Sequence, residues 1–90
     1  MSRIVDMRGD PRLWDAFVGE VETLAVQLPD GQRRVAQFNA GMEWAQGGED
    51  YAALQPVPQD GVAVMQLVPG PKALAFLADL RAAVRERGRA

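Results

Sequence analysis

The 90-residue chain contains no histidine and no cysteine, and only one serine (Ser2), one threonine (Thr23), one asparagine (Asn39), one lysine (Lys72) and one tyrosine (Tyr51). Each gap closes off a chemistry. Histidine changes charge most readily near neutral pH, which makes it the commonest general base and metal ligand. Cysteine, serine and threonine supply most side-chain nucleophiles. Without cysteine there is neither a disulfide framework nor a thiolate metal site. Ser2 stands at the start of the chain, Thr23 falls in an alternating apolar run, and no imidazole is present to activate either hydroxyl. Carboxylate acid–base chemistry is what remains, and it requires acids from distant segments to converge. The composition therefore leans away from an enzyme and implies no cofactor and no metal.

Long apolar stretches are missing too. Unbroken runs such as Val62–Met65 reach only about four residues, against the ~20 needed to span a bilayer. Met1–Asp6 lacks the apolar stretch of a secretory leader, so a cytoplasmic location without membrane association is the expectation. Basic excess is absent as well. The net charge is −2, divided into −5 over residues 1–71 and +3 over residues 72–90. A nucleic-acid binder usually carries a marked basic stripe, so this balance argues against such a partner. Nine arginines against one lysine, together with fourteen alanines, suggest a GC-rich bacterial genome.

What is present reads as one small domain over residues 1–90. At 48% hydrophobic and 24% charged, the chain has the composition of an ordinary globular protein. Alanine makes up much of the apolar share and large core formers are few. Dimerisation would supplement a core of this kind.

Asp10-Pro11 supplies a helix cap followed by the residue pre-set for the first helical position. Leu13, Trp14, Phe17, Val18 and Val21 then recur at helical spacing. With Gly19 as a C-terminal cap, a short helix is expected over about 10–19. Leu24, Val26 and Leu28 alternate with Thr23, Ala25 and Gln27, and Pro29-Asp30-Gly31 separates them from Arg33–Phe38. This pattern predicts a β-hairpin over about 21–39, with glycine taking a positive φ in the turn. The alternative is a first helix running on to Leu28, because 21, 24, 25 and 28 also share a helical face. Residues 40–50 read as a loop with a helical turn, or as a short helix ending at Gly47-Gly48.

A second hairpin follows, from Tyr51–Val57 through the Pro58–Gly61 turn to Val62–Val68. Its last strand has the near-continuous apolar character of a central strand, and Pro56 assigns the preceding one to an edge. Gly70-Pro71 opens a helix over 71–87, whose stripe of Ala73, Phe76, Leu77, Leu80, Ala83 and Val84 is to be buried. Leu77 and Leu80 are expected against the strand at 62–68. The fold class is α+β in two layers: an antiparallel sheet of two β-hairpins flanked by an N-terminal and a C-terminal helix, in the order α-β-β-β-β-α.

No motif carries chemistry. Arg8-Gly9-Asp10 matches a short adhesion tripeptide, but a helix-capping Asp10 accounts for it. Glu49-Asp50 and Asp6/Asp10 lack the spacing of a calcium loop, and Gly47-Gly48 fits no phosphate-binding pattern. Arg81, Arg85, Arg87 and Arg89 suit the negative end of the last helix. Trp44 and Tyr51 flank the glycine-rich link outside any core stripe, which makes them candidate interface anchors with neighbouring Met42. Arg33 and Arg34, just after the first turn, are candidate polar contacts. The expected function is a non-enzymatic protein-interaction module, homodimeric or bound to another protein, joined by a strand edge or by the Trp44–Tyr51 segment. The alternatives are a small enzyme or ligand-binding subunit using carboxylates and arginines in a pocket shared between protomers, and nucleic-acid binding through the C-terminal helix.

Overall fold

The computed structural model describes residues 12–45 and 48–88, in the order α1 (Arg12–Ala25), α2 (Gly31–Trp44), β1 (Ala52–Gln59), β2 (Val62–Pro69) and α3 (Pro71–Gly88). The class is α+β, but the arrangement is α-α-β-β-α with one two-stranded antiparallel sheet. The hairpin expected over 21–39 is instead a pair of helices. The Asp10-Pro11 cap lies outside the described residues.

Helical periodicity prevails over alternation in the first half because it builds a larger buried face. Phe17, Val21 and Ala25 follow one another at four-residue spacing and are all buried. Gly19 is therefore no cap but an exposed position inside α1. Thr23, the residue with most strand character there, donates its hydroxyl to the Gly19 carbonyl at 2.9 Å. That bond is the usual accommodation of a β-branched hydroxyl within a helix. Past Ala25 the chain tightens: Gln27 N–H donates to the Leu24 carbonyl (3.0 Å) and Leu28 N–H to the Ala25 carbonyl (3.1 Å).

Pro29-Asp30-Gly31 turns the chain as expected, but between helices. Asp30 is the N-cap residue of α2, and its side chain makes no capping bond. Its carboxylate instead accepts from Arg34 Nε at 3.0 Å, with Arg33 3.9 Å away. Gly31 is needed for proximity rather than for a positive φ. A Cβ there would stand 1.8 Å from the Ala25 carbonyl oxygen, so only glycine lets the two helix ends approach this closely. In α2, Val35, Phe38 and Met42 form a half-buried stripe laid toward α1, which removes Arg33–Phe38 from strand pairing.

The second hairpin forms, but Pro58 and Gln59 belong to β1 rather than to the expected Pro58–Gly61 turn, so Gln59 pairs with Val62 across a two-residue turn. Asp60 (φ 53°) and Gly61 (φ 77°) both hold the positive φ that such a turn demands. β2 is not a central strand: β1 is its one strand neighbour among the described residues, and Gln66 is its one buried side chain. The hairpin then closes onto α3 through backbone. Gly70 N–H donates to the Tyr51 carbonyl (2.9 Å) and Lys72 N–H to the Asp50 carbonyl (2.8 Å). A Cβ on Gly70 would meet the Glu49 carbonyl oxygen at 2.2 Å, so this junction also requires glycine.

The core joins Phe17 and Val21 of α1 to Ala73, Leu77 and Leu80 of α3. Leu77 and Leu80 are buried as the stripe implied, but their cover is α1 rather than the strand at 62–68. Phe38 ties in α2 by stacking on Phe76, with ring centroids 4.4 Å apart. Among the described residues no helix is long and apolar enough to cross a membrane.

Three substitutions test this packing by denaturant melts. Leu80→Ala, at a side chain with no exposed surface, is expected to cost about 2–5 kcal/mol. Gly31→Ala is expected to cost ~2 kcal/mol or more, because its Cβ displaces backbone. Gly19→Ala is expected to stabilise by roughly 0.5–1 kcal/mol, since nothing lies within 4 Å of the added methyl.

Candidate functional site

The five side chains singled out from the sequence do not converge. Arg33 and Arg34 occupy the first turn of α2, tied to Asp30, while Trp44 ends the same helix about 16 Å away along its axis. Trp44 is 89% exposed. Met42 points inward and lines a cavity of about 200 Å³ between α1 and α2, together with Trp14, Val18, Val35 and Phe38. Tyr51 is half-buried: its ring packs on Phe38 at 5.5 Å, and the Lys72 ammonium lies 5.5 Å from its centroid. A Cβ on Gly41 would come within 2.9 Å of the Tyr51 hydroxyl, so that hydroxyl rests directly on α2. Tyr51 and Met42 thus close the interior, and Trp44 alone of the aromatic pair stands free of it.

The charged candidates are dispersed as well. Arg81 of α3 and Glu20 of α1 form an ion pair at 2.6 Å that braces the two core helices. Both side chains are substantially exposed, which limits such a pair to ~1 kcal/mol or less. Glu49 and Asp50 serve through their backbone, at the close approach to Gly70. Among the described residues no group of three or more carboxylates is placed to hold a metal ion. The Arg8-Gly9-Asp10 and Asp6/Asp10 groupings, Gly47 and Arg89 lie outside the described residues.

The feature that sequence reasoning missed is a face of the hairpin. The strand register sets Ala52, Leu54, Pro56 and Pro58 opposite Pro69, Leu67, Met65 and Ala63. Alternation along each strand puts these eight side chains on one side of the sheet. None of them carries a charge or a hydrogen-bonding group. Leu54, Pro56, Pro58 and Ala63 are exposed and the rest half-buried. The opposite side holds the polar side chains and faces α1. There Gln66 is buried, its amide donates to Gln59 Oε1 at 3.3 Å, and Arg12 of α1 donates to the same oxygen. The signal was legible once the turn was fixed at Asp60-Gly61, because that turn sets which residues share a side.

Comparison of the chain with protein-family models, with curated proteins and with solved structures returned no match.

Truncating the two flanking aromatics separates their roles. Tyr51→Ala is expected to cost about 2 kcal/mol through lost ring packing, whereas Trp44→Ala stays within about 0.5 kcal/mol of the parent in the same melt.

Proposed function

We propose that this chain is a non-enzymatic protein-interaction module, acting as a homodimer or with another protein, and that its contact surface is the outer face of the β1–β2 hairpin. The observation that carries the reading is the composition of that face: eight side chains in register, all apolar, several open to solvent. Scattered surface leucines are ordinary, but a contiguous uncharged patch is characteristic of a surface that meets another macromolecule. Two prolines in β1 stiffen the patch, so little conformational freedom is lost when a partner settles on it. The reading as an enzyme or ligand-binding subunit gains no comparable support. The acids of the described residues occupy helix surfaces and turns, and the arginines that pair with them stabilise helix ends and helix contacts.

Affinity capture with the tagged full chain tests this. Leu54→Lys puts a charge in the middle of the patch at a side chain already 43% exposed, so the fold should hold within about 0.5 kcal/mol. Binding partners recovered with the parent are expected to be lost with Leu54→Lys and kept with Trp44→Ala. The converse pattern would move the contact surface to the end of α2. A reproducible turnover abolished by a single Asp or Glu substitution in a folded variant would overturn the non-enzymatic reading.

A further inference from the structure

The hairpin has two outer edges, and they differ in what they offer a further strand. Because Gly70 N–H bonds the Tyr51 carbonyl, the pairs 53·68, 55·66, 57·64 and 59·62 direct their backbone groups inward. The residues between them turn N–H and C=O outward. On β1 these are Ala52, Leu54, Pro56 and Pro58, and the two prolines have no N–H to give. On β2 they are Ala63, Met65 and Leu67, an unbroken series of donors and acceptors, followed by Pro69. No backbone hydrogen bond among the described residues uses that series. Proteins usually blunt such an edge with lysine, proline, inward-pointing charge or a covering helix. Val62–Val68 has none of the first three, and α1 packs against β2 on the Gln59–Gln66 side of the sheet.

We propose that β2 pairs through this edge with β2 of a second copy of the chain, antiparallel about a two-fold axis at Met65, in the sheet order β1-β2-β2-β1. The inference rests on the interaction-module reading, but it uses the strand edge and leaves the apolar outer faces of both hairpins side by side. The register follows from the donors. With Met65 opposite Met65 and Ala63 opposite Leu67, all three outward donors are paired. A shift one way sets Ala63 against Pro69, which cannot donate. A shift the other way draws in Gly61, whose φ of 77° takes it out of the ladder. The chosen register also sets a small side chain beside a large one on the outer face.

Symmetry favours the antiparallel sense. A two-fold axis normal to the sheet keeps the apolar outer faces of both copies on one side, whereas a two-fold axis along the strands would turn one copy over. A parallel pairing would set Asp60 against Asp60. The proline-bearing β1 strands then form both outer edges and stop growth at two copies.

The absence of cysteine gives a clean test in the full chain. In the paired state the Met65 Cα atoms lie about 5.5 Å apart, within disulfide reach, whereas Ala63 and its symmetry mate are displaced by roughly 13 Å along the strand. Met65→Cys under mild oxidation is expected to run mostly as a cross-linked species of twice 9.8 kDa, and Ala63→Cys as monomer. Sedimentation of the parent at roughly 10–100 µM should show a dimer, a modest affinity in keeping with a small interface. Met65→Pro should be monomeric with an unchanged circular dichroism spectrum, because its N–H points away from β1. A dimer that persists in Met65→Pro, or equal cross-linking at both positions, overturns the inference and leaves the interaction reading standing with another interface. A parent monomer at every concentration also overturns it. Its stability then identifies the occupant: lowered by Met65→Pro, the edge is held by this chain's own residues; unchanged, by water.

Discussion

The contact between Phe17 and Val21 of α1 and Ala73, Leu77 and Leu80 of α3 is the one on which the other elements depend, because each of them is positioned by what one of these two helices leaves free. With the inner stripe of α1 committed to α3, its flank receives the Val35, Phe38 and Met42 stripe of α2, and its first turn reaches Gln59 at the hairpin. Phe38 then completes the interior by touching Phe17, Tyr51 and Phe76 at once. So few large side chains can hold five elements only because the junctions are tight. Gly31 and Gly70 allow backbone approaches that no side chain would permit, one between α1 and α2 and one between the segment before β1 and α3. The burial these approaches make possible is the favourable side of the balance in a chain this small.

The hairpin, the last helix and the start of α1 were legible in the sequence, and the stretch from Val21 to Phe38 was not, for a reason visible in the residues. Asp60-Gly61 has one low-energy use between two apolar runs, and Gly70-Pro71 before a long stripe has one as well, so the hairpin and α3 stand where local chemistry puts them. Residues 21–28 satisfy both periods: Leu24, Val26 and Leu28 alternate, while Val21, Leu24, Ala25 and Leu28 share a helical face. What decides between them is the partner, since Val21 and Ala25 are buried only if the helix continues. Pro29-Asp30-Gly31 marked the turn without revealing what it joins. The same tertiary contact turned Arg33–Phe38 from an expected strand into helix, leaving two strands where four were expected.

The candidate site shows a related limit. Tyr51 and Trp44 look alike in sequence, two aromatics beside a glycine-rich link, yet one seals the core and the other ends a helix in solvent. The distinction depends on Phe38, thirteen residues earlier than Tyr51 and invisible to local pattern. The apolar outer face of the hairpin was hidden for the opposite reason. Each strand is apolar on both sides in part, and the register assigns Gln55, Gln59 and Gln66 to the helix side and none of them to the other. The helix side therefore mixes these three glutamines with Ala53, Val57, Val62, Val64 and Val68, while the outer face is apolar throughout.

The most direct test of the proposed β2–β2 pairing is residue-resolved amide hydrogen exchange of the intact chain at two concentrations roughly a hundredfold apart. Val64 and Gln66 N–H groups bond across the hairpin and should exchange slowly at both. The account predicts that Ala63, Met65 and Leu67 exchange fast in dilute solution and become protected in the concentrated sample. Equal exchange at these three amides in both samples would contradict it.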